Sequence, residues 1–397
     1  MLPVDTGGKI RSYNILKHVV RSHEVKLLSY YGGKRDLVYE KDIQKEFPGA
    51  RTIFTAAPEG TPFEQFRYLR ALLRAAPFAV AKFTHPAVKR EIARLIDLWN
   101  VDVAVCDFLS ASQNFPTRSS LPTVLFQHNV ETALWTRIAA TERNPIKALA
   151  YKIEAAKMIF LERNAIGNFH HIVAVSEHDR TQMLDMYPGC SISVVPTGVD
   201  TQKFSIAPPS SSDPPRIVFT GSMDWEPNID AVQYFCDQIF PTVRANFPKA
   251  IFQIVGRQPH AKVRRLASDS VQVTGTVSSV TEYLRDATAV IVPVRIGGGT
   301  RLKIFEAMAM GKAVVSTNIG AEGLDVRNGR DLILADTASA FADAILLLLS
   351  NDELRLTYEQ AASRLACQYD WSKIALQFCA VLQDAVQHGS KPQKAQL

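Results

Sequence analysis

Residues 290–316 read VIVPVRIGGGTRLKIFEAMAMGKAVVS, and their order decides the architecture. The apolar run Val290–Val294 reads as a buried strand, and Ala313–Ser316 as a second one. Between them stand Gly297, Gly298, Gly299 and Thr300, then a helix expected from near Arg301 to Gly311. Successive glycines remove side chains where a ligand must approach the backbone. The N–H groups that open a helix bind anions, and Thr300 is placed to cap this one. Arg301 and Lys303 put two cations in the first turn, against the helix dipole. A bound anion offsets that conflict, which makes it a pointer to function. Glu306 lies about one turn beyond Leu302 and offers two acceptor oxygens to ribose hydroxyls. The competing reading is a glycine-rich turn before a helix with a solvated basic end. The segment is not a Walker A loop, because GK[ST] is absent, and it carries no GxGxxG fingerprint.

Working outward, short apolar runs alternate with amphipathic stretches along the whole chain, which argues for parallel α/β architecture. Strands are predicted at Val25–Ser29, Val103–Cys106, Thr123–Gln127, His171–Val175 and Ser193–Val195 in the first half. In the second half they are predicted at Arg216–Thr220, Ala250–Val255, Val271–Thr274, Ala289–Val292, Ala313–Ser316 and Leu332–Leu334. Helices are predicted between them, among them Arg11–Val20, Phe63–Phe83, Ala87–Asn100, Ile146–Asn164, Glu177–Met186 and Leu302–Met310. The Pro- and Ser-rich run Ser205–Pro215 reads as an extended connector. The division expected is a first domain over 1–200, a linker over 201–215 and a second domain over 216–370. A C-terminal helix over 371–388, packing back on the first domain, and a tail over 389–397 complete it.

Composition bounds the function. The chain has 397 residues, 47% of them hydrophobic and 21% charged, which suits two soluble cores. No apolar run spans a bilayer and the first residues carry no signal core, so a cytoplasmic protein is expected. Five scattered cysteines without CxxC spacing read as reduced thiols. The net charge is +6, and all of it falls before Pro196: 25 Lys and Arg stand against 19 Asp and Glu there, and 20 against 20 afterwards. A basic half attracts an anionic acceptor or the inner membrane face, although a solvated surface without a partner is an equal reading. Phe63–Phe83, with Arg67, Arg70 and Arg74 at helical spacing, is the stretch expected to lie on such a membrane, against a core-packed alternative. Nucleic acid is excluded by the absence of any basic run with interleaved aromatics.

The donor segment resembles that of retaining GT-B glycosyltransferases, in particular glycosyltransferase family 4, the glycosyl transferases group 1. Glu306, in FEAMAMGKAVVS, matches the second glutamate of that family's E-x7-E pattern, and Gly298 stands at the first. The chain is similar to a subgroup with GGGTRLK in that place. VPTGVD over 195–200 resembles the family's V-P-N-G-V-D turn, and TGSMDW over 220–225 its G-x-M-x-W-x-P-N opening, with Gly221 at a phosphate. IVGR, ending at Arg257, and the G-x-V turn after Thr274, where backbone groups hold the base, continue the match. The resemblance implies two Rossmann-like parallel-sheet domains facing across a cleft. It implies a hexosyl group moved from UDP- or GDP-sugar to a glycan or lipid-linked acceptor, with retention, no metal and no cofactor beyond the donor. No DxD stands in a suitable place. A UDP-sugar 2-epimerase-like isomerase and a non-catalytic nucleotide-sugar-binding module are the alternatives.

In the first half, Gly7 and Gly8 open a helix and read as a phosphate or acceptor loop, although the strand that normally precedes such a loop is missing. A sheet lacking that strand exposes an apolar edge, so a longer N-terminus is expected to improve folding. His128 follows the strand Thr123–Gln127, at the end where parallel sheets bind ligands. The family places a histidine there near the donor sugar, so His128 is the first candidate for sugar positioning and catalysis, with Glu131 orienting it or touching the acceptor. A histidine that helps cap the next helix is the plainer reading. Asp107 reads as a helix cap, and Ser176 with Glu177 as an N-cap and first-turn acid.

Overall fold

A computed structural model describes residues 1–4, 6–55, 76–117, 119–142, 144–206, 213–296 and 301–388. Two compact units emerge. One comprises Met1–Pro196 together with the chain from Ile374, and the other Thr197–Lys373.

The first unit carries two parallel sheets. β1 (Leu28–Tyr31) pairs with β2 (Arg51–Phe54), and β3 (Ala104–Asp107), β4 (Thr123–Phe126), β5 (His171–Ala174) and β6 (Ile192–Val194) pair in that order. β4 and β5 are buried throughout, as central strands covered on both faces must be. β3 is an edge, and only Cys106 of its four residues is fully buried. No strand precedes the helix Gly7–Val19 among the described residues. β1 lies two to three residues later than the sequence predicted, because Lys26 and Leu27 lead into it rather than belong to it. β2 was not predicted; its RTIF has an exposed Arg at one end and no alternation. Phe63–Phe83 falls largely outside the described residues, which resume with a short helix, Phe78–Ala81.

Among its described residues the second unit holds one sheet of six parallel strands. These are β7 (Arg216–Thr220), β8 (Ile251–Val255), β9 (Val271–Gly275), β10 (Ala289–Val292), β11 (Val314–Ser316) and β12 (Ile333–Leu334), in the spatial order β12-β11-β10-β7-β8-β9. The chain moves outward in one direction from β7 and in the other from β10. The crevice between the C-terminal ends of those two strands is therefore the switch point at which doubly wound sheets bind ligands. One core fills this unit, from Phe219 and Phe252 to Phe305 and Phe341.

The unit boundary falls at Pro196, four residues before the predicted one. Val199 donates its N–H to the Tyr369 carbonyl (2.8 Å), and Phe204 joins the second core, which holds the 197–206 stretch in that unit. Gly198 belongs there for a steric reason: a Cβ would stand 2.5 Å from the Trp371 ring. The helix Trp371–His388 ends the description, with Phe378 against Phe126 at 5.3 Å in the first unit.

Candidate functional site

In the second unit the site is built at the switch point. β7 ends at Thr220, and Gly221 and Gly256 follow β7 and β8 so closely that a Cβ on Gly256 would lie 1.6 Å from the Gly221 carbonyl oxygen. Only glycine fits there. A Cβ on Gly221 would in turn stand 2.8 Å from Lys303 Nζ. The bare turn thus lets an ammonium lie directly against the backbone. Lys303 Nζ donates to Asn228 Oδ1 (3.2 Å) and lies 3.9 Å from the centre of the Phe219 ring. Asn228 donates to the Ser222 carbonyl (2.8 Å), and Arg257 Nε donates to Ser222 Oγ (2.7 Å), which fixes the turn.

The helix that presents Lys303 runs Leu302–Ala309, with Arg301 at its N-cap position. Thr300, the predicted cap, and Gly297, Gly298 and Gly299 lie outside the described residues. Lys303 and Glu306 keep some accessible surface, yet enough protein surrounds each that burial governs its protonation. Burial, with Arg301 adding repulsion, pulls the Lys303 ammonium down to about 7, against the pull of Glu306. Burial raises Glu306, with Lys203 and Lys303 opposing. Thr274, at the end of β9, spends its hydroxyl on the carbonyls of Ile254 (3.4 Å) and Gly275 (3.0 Å). Gly221, Arg257 and Lys303 are therefore gathered around the end of β7, with Glu306 about one turn beyond Lys303 on the same helix.

The first unit holds a different kind of centre. His128, 4% exposed, follows β4. Its Nδ1 lies 2.7 Å from Arg11 Nη1, and its Nε2 lies 2.7 Å from Asp107 Oδ1. Guanidinium only donates, so Nδ1 accepts and the ring proton sits on Nε2, donated to Asp107. Ser12 donates to the other carboxylate oxygen at 2.6 Å. Burial lowers the His128 pKa and Arg11 lowers it further, with Asp107 opposing, so the imidazole is held neutral. Burial also brings the Arg11 guanidinium down to about 10, with Asp107 as its main counter-charge.

This wiring alters several expectations. Asp107 does not cap a helix; it anchors the histidine across adjacent strands β3 and β4. Both nitrogens of His128 are engaged, so contact with a sugar would require one of these bonds to exchange. Gly8 lies inside the first turn of its helix, and a Cβ on it would stand 2.5 Å from the Phe108 ring. Phe108 is stacked on His128 at 3.9 Å and 10°, with its own backbone in the left-handed region at φ 72°. A bulky residue there is strained, and such strain persists where the surroundings over-determine it. Gly7 opens the same helix.

Glu131 is the first residue of the helix Glu131–Thr141. Burial, then the nearby Glu162 charge, raises its carboxyl to about 7. Glu162 is fully buried and accepts from the N–H groups of Glu131 and Thr132 (both 3.0 Å) and from Gln127 Nε2 (2.6 Å). A carboxylate from the following helix thus caps this helix N-terminus. Ser176 caps Glu177–Met186 through the Asp179 N–H at 3.0 Å.

Arg11, Ser12, Asn228 and Glu162 were not among the predicted site residues. For Arg11 a signal exists: with Ile15 and Val19 it occupies the buried face of its helix at a spacing of four, and a charge on such a face demands a partner. Glu162 carries the same signal, between Met158 and Ile166 on the buried face of its helix, and Asn228 closes the G-x-M-x-W-x-P-N match.

A parallel-sheet unit with a ligand crevice at the reversal of strand order, preceded by a second parallel α/β unit, defines the GT-B glycosyltransferase class. The solved structure of Anabaena HepE with UDP shares this fold, with a TM-score of 0.64 at 15% identity over 96% of each chain. The chain belongs to glycosyltransferase family 4. The model for Glycosyltransferase Family 4 matches residues 7–203, and that for Glycosyl transferases group 1 matches residues 214–351. A phosphatidyl-myo-inositol mannosyltransferase of Mycobacterium leprae (strain TN) is 30% identical over 56% of this chain and 61% of its own length. A Campylobacter jejuni N,N'-diacetylbacillosaminyl-diphospho-undecaprenol alpha-1,3-N-acetylgalactosaminyltransferase is 30% identical over 33% of this chain and 36% of its own. The chain thus spans about six-tenths of the length of the mycobacterial relatives it matches.

Proposed function

We propose that the chain is a glycosyltransferase that moves a hexosyl group from UDP- or GDP-sugar to a lipid-linked acceptor or a growing glycan, with retention, in polysaccharide or glycoconjugate biosynthesis. One observation carries this reading: a desolvated lysine, Lys303, lies against a bare glycine turn at the switch point of a parallel sheet. A diphosphate supplies the charge that such an ammonium lacks. The names of the mycobacterial and Campylobacter relatives, which carry phosphatidyl-myo-inositol and undecaprenol, favour the lipid-linked acceptor.

In this reading the anomeric C–O bond to the diphosphate breaks, and the leaving oxygen keeps the electron pair. Lys303 and Arg301 stabilise that charge, so no metal is assigned a part. The acceptor hydroxyl forms the new bond on the same face of the sugar and gives its proton to the departing diphosphate. His128 is the positioning residue on the acceptor side, held by Arg11 and Asp107, and Glu131 is the carboxyl placed to exchange a proton near neutrality. No helix among the described residues is long and apolar enough to cross a membrane. We place the chain in the cytoplasm, at the inner membrane face where a lipid-linked acceptor is presented. Product analysis with a panel of nucleotide sugars and chelator present tests the whole reading. The expected products are free UDP or GDP and a glycosylated acceptor with the donor's anomeric configuration. An isomerised sugar, unchanged donor, or activity abolished by chelation and restored by a divalent ion would overturn the corresponding part.

A further inference from the structure

The helix Pro145–Asn168 is apolar on two opposite faces. Ala155, Met158, Leu161, Ala165 and Ile166 are buried on one. On the other, Ile146, Leu149, Ile153, Ala156 and Phe160 are exposed, at positions i, i+3, i+7, i+10 and i+14. Ile146 is 80% exposed, Leu149 61% and Phe160 64%. A helix apolar on both faces needs a partner on both.

Its placement within the first unit is informative. Glu162 caps Glu131 and Thr132, just beyond the C-terminal end of β4. The two helices run antiparallel, so the stretch from Ile146 to Glu162, about 24 Å long at 1.5 Å per residue, projects past that end of the sheet. That is the end where His128 and Asp107 stand.

Charge identifies the partner. The helix carries two acids, Glu154 and Glu162, and both are fully buried. Its exposed charged residues, Lys147, Lys152 and Arg163, are all basic. Lys152 and Arg163 border the stripe along one side, and a second copy packed seam to seam would bring such cations together, which disfavours self-association. An apolar stripe with basic flanks matches a bilayer with anionic headgroups.

We propose that the Ile146–Phe160 face docks on an anionic lipid surface and so holds the end of the sheet bearing His128 near the headgroups. The docking stands on this geometry alone; only its use in reaching a lipid-linked acceptor rests on the transferase reading.

Flotation of the full chain with vesicles of phosphatidylcholine, with and without phosphatidylglycerol, tests it. Binding is expected to the anionic vesicles, at least tenfold weaker without the anionic lipid and weakened by salt. Leu149→Asp with Ile153→Asp should reduce it at least tenfold, and Lys152→Glu with Arg163→Glu by a similar factor. Leu376→Asp, at a 70% exposed position on the Trp371–His388 helix, should leave it unchanged. All variants are surface changes and should keep the wild-type melting temperature. Indifference of the wild type to anionic vesicles, or wild-type binding by both double variants, overturns the proposal. So does a wild-type dimer that Leu149→Asp splits while vesicle binding is absent. Transfer to a detergent-soluble acceptor should be equal in wild type and variants. Vesicle binding without any transfer would overturn the transferase reading and leave the docking face standing.

Discussion

The two centres use similar residue types to opposite ends. Around His128, a buried cation, a neutral ring and a carboxylate satisfy one another: Arg11 to Nδ1, and Nε2–H to Asp107. Around Lys303, a half-buried ammonium has a neutral amide and an aromatic face beside it, with Arg301 repelling it and Glu306 as its carboxyl counterpart. The first centre is internally balanced and holds geometry. The second, where burial outweighs the pull of Glu306, is the one proposed to take an anion. Unbalanced charge at a ligand crevice marks binding more surely than a titratable residue at a strand end.

The largest expected effect tests the frame of the second centre. Gly256→Ala forces the Gly221 turn apart, and should cost about 3 kcal/mol, or roughly 6–12 °C in the melting temperature of a unit this size. A calorimetric scan with an unchanged transition would refute the close approach of the two turns. Next, Lys303→Ala should lower donor kcat/KM about 100-fold, near 2.7 kcal/mol. Kinetics within threefold of wild type would move the diphosphate elsewhere.

Glu131 sharpens the contrast from the other side. Its folded pKa, about 7, lies above its ordinary value. The folded state therefore holds this proton more tightly. The stability it contributes is complete below the unfolded pKa and is lost as pH rises through 7. Glu131→Gln should stabilise the chain at pH 8 by roughly 1–3 kcal/mol and not at pH 4.5, as urea titrations at the two pH values would read. The smallest effect concerns the balanced centre. Arg11→Met frees Nδ1 of His128 and removes a neighbouring cation, so the imidazole pKa should rise by about one unit, observable by NMR. A falling value would mean that Arg11 does not act on the ring as its position implies.

Much of this contrast was legible in sequence. The alternation of apolar runs located ten of the twelve strands among the described residues within a residue or two, because central parallel strands such as β4 and β10 are uniformly apolar. β2 escaped because RTIF is short and polar at one end, and β1 was displaced because Lys26 interrupts its run. In the second unit, Arg301 and Lys303 announced themselves by opposing the helix dipole, and Lys303 and Gly221 do meet. In the first unit the sequence pointed to His128 but not to its partners. Arg11 and Asp107 lie 117 and 21 residues from it, and no periodicity links them. Asp107 looked like a cap because an acid between a strand and a helix usually is one.

The central claim is that Lys303 waits for the donor diphosphate, and its protonation gives a direct test. The free ammonium titrates near 7, so at pH 9 an anion must bring a proton with it. Calorimetric titration of UDP and of GDP at pH 7 and pH 9, with Lys303→Met run alongside to subtract the ionisation of the nucleotide itself, isolates this term. For whichever nucleotide binds, affinity should be at least tenfold weaker at pH 9, with proton uptake, and Lys303→Met should reduce that dependence to less than threefold. Equal wild-type affinity at the two pH values, or an undiminished dependence in Lys303→Met, would contradict the assignment.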